Sequence, residues 1–224
     1  MRFDRLARIY AILDRDTLDR LGLDLVETAL RLRDEGLRLF QYRDKRVDLE
    51  AILGDARRLA DALRPRGCQL ILNDYADLVD ASGFDGLHVG QGDLDASGGL
   101  GMIEDRGLVG IRRLLGAGRI LGVSTHNETQ LRSAAIDVAD YVAIGPVFPT
   151  STKADAEPVV GLGGVRRARE LTGKPLVAIG GISAANAREV MEAGADSVAV
   201  VAALFGRGID VGKAARRLMD AVGG

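Results

Sequence analysis

The sequence predicts an α/β fold, a (β/α)8 TIM barrel built as a single domain over residues 1–224. Three observations point there. Eight short apolar runs recur along the chain, separated by longer amphipathic or polar segments. Most of these runs are apolar throughout rather than alternating, which marks parallel strands buried on both faces beneath helices. Three of them also share one plan: Phe84-Asp85-Gly86-Leu87-His88-Val89, Ala139-Asp140-Tyr141-Val142-Ala143-Ile144 and Ala195-Asp196-Ser197-Val198-Ala199-Val200. Each sets an Asp in the turn that ends a helix and opens a strand. Eight such units in a chain of this length favour closure into a barrel. A doubly wound open sheet is the alternative, and the absence of GxGxxG after the first strand argues against its dinucleotide-binding form.

Taken in order, the first strand is predicted at residues 8–13. Leu21, Leu25, Ala29, Leu32 and Gly36 follow at loosely helical spacing. The second strand is 38–42. Leu49, Ile52, Leu53, Ala56, Leu59, Ala60 and Leu63 then keep the i, i+3, i+4 spacing of an amphipathic helix. Strands three and four are 69–72 and 86–89. A glycine-rich, irregular stretch at 95–110 reads as a surface insertion after the fourth strand. Strands five, six and seven are 119–122, 141–144 and 176–179. Ser183 reads as the N-cap of a helix through Met191 that Gly194 stops. The eighth strand is 197–201.

Composition narrows the function classes. Hydrophobic residues make up 47 % of the chain and aromatics 4 %, so the core must rest on Leu, Ile, Val and Ala. A formal net charge of −2 gives no basic footprint for nucleic acid or an anionic membrane surface. No apolar run nears the roughly 20 residues that span a bilayer, and the N-terminus lacks the features of a signal peptide. A cytoplasmic protein with small-molecule partners is expected. Cys68 is the only cysteine, which excludes an intrachain disulfide. His88 and His126 are the only histidines, so a multi-His zinc site is excluded as well. Oligomeric state is not legible, and a homo-oligomer is compatible with the sequence.

The working end of such a barrel is the C-terminal end of its strands. Polar residues gather there. Gln41, Arg43 and Lys45 alternate along the end of strand two and can share one side. One amide and two cations suit an anion with several oxygens, such as a diphosphate; an ordinary strand running into a solvated turn reads equally well from this stretch alone. Asn73 and Asp74 follow strand three, Gln91 and Asp93 strand four, and Ser124, Thr125 and His126 strand five. Gly145 to Lys153 follow strand six, and Gly180-Gly181-Ile182-Ser183 strand seven. Singly, Asn73 and Asp74 suit a helix cap, Asp93 a turn and the glycine pair a tight bend. Together they combine acids and cations as a small charged substrate requires. Asp74 and Asp93 are the pair suited to Mg²⁺, completed by water and phosphate oxygens. The glycine pair can cradle a monophosphate on backbone N–H groups, helped by Val201 and Ala202 at the end of strand eight. His88 reads as structural and Asp44 as facing away from the site.

The ordered set of motifs resembles the thiamine-phosphate synthase family. The matching stretches are Gln41-Tyr42-Arg43-Asp44-Lys45, Leu72-Asn73-Asp74, His88-Val89-Gly90-Gln91-Gly92-Asp93, Gly122-Val123-Ser124-Thr125-His126, residues 140–153, residues 178–182 and Ala193-Gly194-Ala195-Asp196. The resemblance implies a (β/α)8 transferase that joins hydroxymethylpyrimidine diphosphate to thiazole phosphate. It implies that Gln41, Arg43, Lys45, Asn73, Ser124 and Lys153 bind the pyrimidine diphosphate, with Arg43, Lys45, Ser124 and Lys153 acting in catalysis. Asp74 and Asp93 hold Mg²⁺ on the same reading. Thr150, Thr152, Gly181, Val201 and Ala202 then meet the thiazole phosphate. Ala202 departs from the family's usual Ser, and Ser197 from a frequent Gly. The rival is a thiazole tautomerase or another phosphate-binding barrel isomerase. A tautomerase lacks the acid here given by Asp93 and departs from the pattern carried by Pro146, Thr152 and Lys153.

Overall fold

A computed structural model describes residues 6–46, 48–90, 107–150 and 158–223 of the chain. Its strands are β1 (Ile9–Asp14), β2 (Leu39–Arg43), β3 (Gln69–Asn73), β4 (Gly86–Val89), β5 (Ile120–Thr125), β6 (Tyr141–Ile144), β7 (Leu176–Ile179) and β8 (Ser197–Val200). They close in sequence order into a parallel barrel, with β8 returning to pair with β1. The intervening helices are α1 (Arg15–Leu21), α2 (Leu25–Asp34), α3 (Leu49–Leu63), α4 (Val79–Ser82), α5 (Leu108–Leu115), α6 (Glu128–Leu131), α7 (Gly161–Leu171) and α8 (Ala187–Glu192), and α9 (Val211–Val222) follows β8. The open-sheet alternative is therefore excluded. Among the described residues no helix is long and apolar enough to cross a membrane.

The shared Asp has a common task at the base of the barrel. Asp85, Asp140 and Asp196 each donate their own N–H to the carbonyl of a Leu on the preceding strand, at 2.8, 2.7 and 2.8 Å. Each then accepts the N–H of that same Leu on its carboxylate: Leu70 at 2.9 Å, Leu121 at 2.8 Å and Leu176 at 2.8 Å. An arginine pairs with each carboxylate: Arg64, Arg112 and Arg169 respectively. The repeat thus clamps β3 to β4, β5 to β6 and β7 to β8 at their N-terminal ends. It satisfies backbone donors that the parallel ladder leaves over at the strand starts.

Two apolar compartments follow from strands buried on both faces. The larger lies between the barrel and its helices, and takes the predicted stripe Ile52, Ala56, Leu59, Ala60 and Leu63 of α3. The smaller fills the barrel interior with Leu6, Tyr10, Leu39, Ile71, Tyr141, Ala143, Val177 and Ala199. Inward positions recur every second residue. Leu39 is succeeded by Gln41 and Arg43, and Ile71 by Asn73, so the interior changes from apolar to polar as the strands rise. Ser197 sits at the base of β8, fully buried, and its hydroxyl has no hydrogen-bond partner among the described residues. An unsatisfied buried hydroxyl costs about 1–3 kcal/mol. Ser197→Ala should therefore raise stability by about 1 kcal/mol, read as a higher midpoint in denaturant titration.

Several boundaries differ from expectation for local reasons. Pairing continues through polar residues at the strand tops: Asp14 opposite Arg43, Asn73 opposite His88, and Ser124 and Thr125 opposite Ala143 and Ile144. Arg43, Asn73, Ser124 and Thr125 are thus strand residues, not loop residues. The 21–36 helical spacing belongs to two helices, because Gly22 takes a left-handed φ of 65° and ends α1. Ser183 is not the N-cap: α8 starts at Ala187 behind Asn186, whose Oδ1 accepts the Ser183 N–H at 2.8 Å. Of the 95–110 stretch, Leu108 to Gly110 open α5, and residues 95–106 lie outside the described residues.

Candidate active site

The strand tops enclose a cavity of about 420 Å³. Gln41, Arg43 and Lys45 all line it, so the alternation expected of β2 persists past the last ladder residue. The intervening side chains face the other way. The Tyr42 hydroxyl lies 3.1 Å from both Asp44 and Asp55 and has one proton to share between them, and Asp44 accepts Arg46 at 2.5 Å. Burial alone would raise the Asp44 pKa, but the hydrogen bonds and charge of Arg46 hold it below the ordinary carboxylate value.

Each β2 cation leans on a carboxylate. Arg43 pairs with Asp14, the last residue of β1, which is 4 % exposed. Asp14 is also the N-cap of α1, taking the Thr17 N–H at 3.1 Å and its hydroxyl at 2.7 Å on Oδ1. That leaves Oδ2 for Arg43, so the cap of one helix fixes the guanidinium of the next strand. Lys45 Nζ stands 2.6 Å from Asp74 Oδ2, and Asn73 Nδ2 donates to the same oxygen at 2.7 Å. Asp74 is buried just beyond β3 with a left-handed φ of 63°. Such a conformation in a non-glycine residue costs about 1–3 kcal/mol and clusters at functional sites. Asp74 lies beside the cavity wall, while Asn73 is part of it.

The opposite wall comes from β6 to β8. After β6 the chain bends but keeps to β7: Val147 donates to the Ile179 carbonyl at 2.8 Å and Phe148 to that of Gly180 at 3.1 Å. This carries Pro149 and Thr150 over the glycine pair. The fit requires glycine. A Cβ on Gly181 would lie 2.6 Å from the Pro149 carbonyl oxygen, and its φ is 66°. Thr150, Gly181, Val201 and Ala202 all line the cavity. No described residue accepts the N–H of Gly181 or Ala202. Contrary to the reading of Ser183 as an N-cap, the glycine pair does not run straight into a helix; a turn closed by Asn186 Nδ2 on the Gly181 carbonyl, at 3.2 Å, intervenes.

Comparison with known proteins decides the family. Residues 9–204 match the family model described as thiamine monophosphate synthase. The chain belongs to the thiamine monophosphate synthase family. It is an enzyme of the transferase class. It is 46 % identical over 203 residues to the thiamine-phosphate synthase of Koribacter versatilis (strain Ellin345), covering 90 % of each chain. It is 42 % identical over 183 residues to that of Chloroflexus aurantiacus, covering 82 % of this chain and 78 % of the relative. A solved structure, thiamine phosphate pyrophosphorylase from Pyrococcus furiosus, superposes with a TM-score of 0.79 at 28 % identity, covering 96 % of each chain.

The residues assigned by resemblance to the thiamine monophosphate synthase family divide in three, Asp74 standing alone beside the cavity wall. Gln41, Arg43, Lys45, Asn73, Ser124, Thr150, Gly181, Val201 and Ala202 share the cavity. Asp93, Thr152 and Lys153 lie outside the described residues. Sequence reasoning missed Asp14, Tyr10 and His88, which also line the cavity. Asp14 was findable as an acid between an apolar run and a helix. His88, read as structural, forms part of the cavity wall: Nδ1 lies 2.8 Å from the Tyr141 hydroxyl and Nε2 2.8 Å from Ser124 Oγ. His126 lines the mouth with its Nδ1 2.6 Å from the Gly145 carbonyl oxygen.

Proposed function

We propose that the cavity joins hydroxymethylpyrimidine diphosphate to thiazole phosphate, giving thiamine phosphate and diphosphate. The observation that carries this reading is the division of the cavity. Gln41, Arg43, Lys45 and Asn73 come from the tops of β2 and β3, Thr150, Gly181, Val201 and Ala202 from the segments after β6, β7 and β8, and Ser124 from β5 between the two sets. The first set suits the diphosphate and the pyrimidine, and the second suits a monophosphate.

Mg²⁺ belongs to this reading. Asp74 fits it as a hard oxygen donor that is buried and already carries a cation, the Lys45 ammonium. Asp74 would hold the ion together with Asp93. When bound, Mg²⁺ neutralises charge on the diphosphate oxygens. Arg43 presents its fork to the same oxygens with its aim fixed by Asp14, while Lys45 and Lys153 add point charges. As the C–O bond breaks, these cations stabilise the charge growing on the leaving group. The pyrimidine methyl cation left behind is stabilised by its ring amino group, and the thiazole nitrogen attacks it to form the new C–N bond. No protein nucleophile is required. A cytoplasmic location accords with this role.

Two assays test the reading: activity should stop on chelation and return with Mg²⁺, and the pyrimidine monophosphate should not replace the diphosphate. Metal-independent turnover contradicts the ligand role of Asp74. A further expectation concerns Ala202. Ala202→Ser adds a hydroxyl at the thiazole-phosphate wall. A hydrogen bond contributes about 0.5–1.5 kcal/mol, more to a charged partner. KM for thiazole phosphate should fall about three- to tenfold with kcat unchanged.

A further inference from the structure

Ladder pairing of β2 ends at Arg43, opposite Asp14, yet Lys45 still lines the cavity beside Gln41 and Arg43. Hydrogen bonds from two sides hold the turn that follows the strand. Asp44 Oδ1 accepts the Arg46 N–H at 2.9 Å. The Tyr75 hydroxyl lies 3.2 Å from the Arg46 carbonyl oxygen, which joins this turn to the one after β3. The same Asp44 carboxylate takes the Arg46 guanidinium, with Nε 2.9 Å from Oδ1 and Nη2 2.5 Å from Oδ2. The Asp44 side chain is fully buried, whereas those of Lys45 and Arg46 are 41 % and 43 % exposed.

A half-exposed lysine is poorly placed by its ion pair alone. Fixing its flexible stem costs rotamer entropy that such a pair barely offsets. Asp74 is held from its own side: its N–H donates to the His88 carbonyl at 2.9 Å, and Asn73 Nδ2 donates to its Oδ2. The Lys45 side needs a matching constraint on its backbone, and the Asp44 carboxylate supplies it. A hydrogen bond to a carboxylate is roughly twice as strong as a neutral one. Despite burial, the hydrogen bonds and charge of Arg46 keep Asp44 ionised and able to accept. The anchored turns after β2 and β3 thus flank the Lys45–Asp74 pair and fix its two ends together.

We propose that Asp44 is a positioning residue whose carboxylate closes the turn after β2 and thereby holds the Lys45 ammonium at Asp74, ready for the departing diphosphate. The identity of that ligand rests on the synthase reading; the placement of Lys45 does not.

The test uses ¹H–¹⁵N NMR of the lysine ammonium groups in the full-length protein. The only lysines are Lys45, Lys153, Lys174 and Lys213, and the signal lost in Lys45→Met is that of Lys45. An ammonium held against a carboxylate exchanges its protons slowly enough to be seen. The wild type should therefore show the Lys45 signal, and Asp44→Ala should lose it. In the same variant kcat should fall about ten- to a hundredfold, the scale of a group misplaced by about an ångström, at unchanged KM for thiazole phosphate. Asp44→Asn keeps a neutral oxygen for the Arg46 N–H and should fall between the two; it decides the matter if Asp44→Ala does not fold. A wild type without the Lys45 signal overturns the proposal, as does a signal that survives both Asp44 substitutions or an unchanged kcat. A wild type without synthase activity overturns only the ligand assignment, and the ammonium signal still decides the placement of Lys45.

Discussion

Asp74→Asn should lower turnover by about 10²–10³-fold, the scale on which removal of a preorganised charge-stabilising group acts. The substitution isolates charge from backbone geometry. Asp74 holds a φ of 63°, a left-handed conformation that Asn adopts as readily as Asp. Replacement by Ala would add strain to the loss of the carboxylate, whereas Asn keeps the turn after β3. What goes is the negative charge that holds Lys45 at 2.6 Å and that would hold the metal. The Mg²⁺ concentration giving half-maximal rate should rise along with the fall in kcat. Steady-state kinetics across a Mg²⁺ titration check both. An unchanged rate at every Mg²⁺ concentration would remove Asp74 from the metal site and leave it as an anchor for Lys45.

The second large effect is on folding. Gly122→Ala should destabilise the protein by about 3 kcal/mol or more, at or beyond the upper end of ordinary overpacking costs. A Cβ at this position would lie 2.0 Å from Tyr141 Cζ and 2.3 Å from its hydroxyl oxygen. Tyr141 sits opposite Gly122 in the β5–β6 register and has no solvent to retreat into. The barrel interior is closed around it by Tyr10, Leu39, Ile71 and Val177. For a chain of this size each kcal/mol moves the melting midpoint by about 2–4 °C, so a drop of about 6–12 °C or more is expected by calorimetry. Tyr141→Phe cannot relieve the clash, because the ring carbons remain. Tyr141→Leu should recover part of the stability. A Gly122→Ala variant with a wild-type melting point would mean that the ring has room that its packing does not indicate.

Much of the barrel was legible because its strands carry a two-sided apolar signal that needs no partner to be recognised. The Asp85, Asp140 and Asp196 repeat was visible as a pattern. Its meaning was not, since the carboxylates act on Leu70, Leu121 and Leu176 in neighbouring strands. Gln41, Arg43 and Lys45 were readable as one face because period-two alternation is local. Strand ends were set too short at Asn73 and Ser124, where polarity looked like loop but pairing decided otherwise. His88 looked structural because its surroundings, a phenol from β6 and a hydroxyl from β5, come together only on closure. The steric role of Gly122 was not legible, as its reason is the Tyr141 ring that fills its missing side chain.

The most direct measurement is of both products together. Purified protein is incubated with hydroxymethylpyrimidine diphosphate, thiazole phosphate and Mg²⁺, and thiamine phosphate and diphosphate are quantified by chromatography. Equal amounts of the two, forming with time and requiring the thiazole phosphate for thiamine phosphate, are the expected result. Protein that is folded and metal-loaded yet forms no thiamine phosphate would contradict the account.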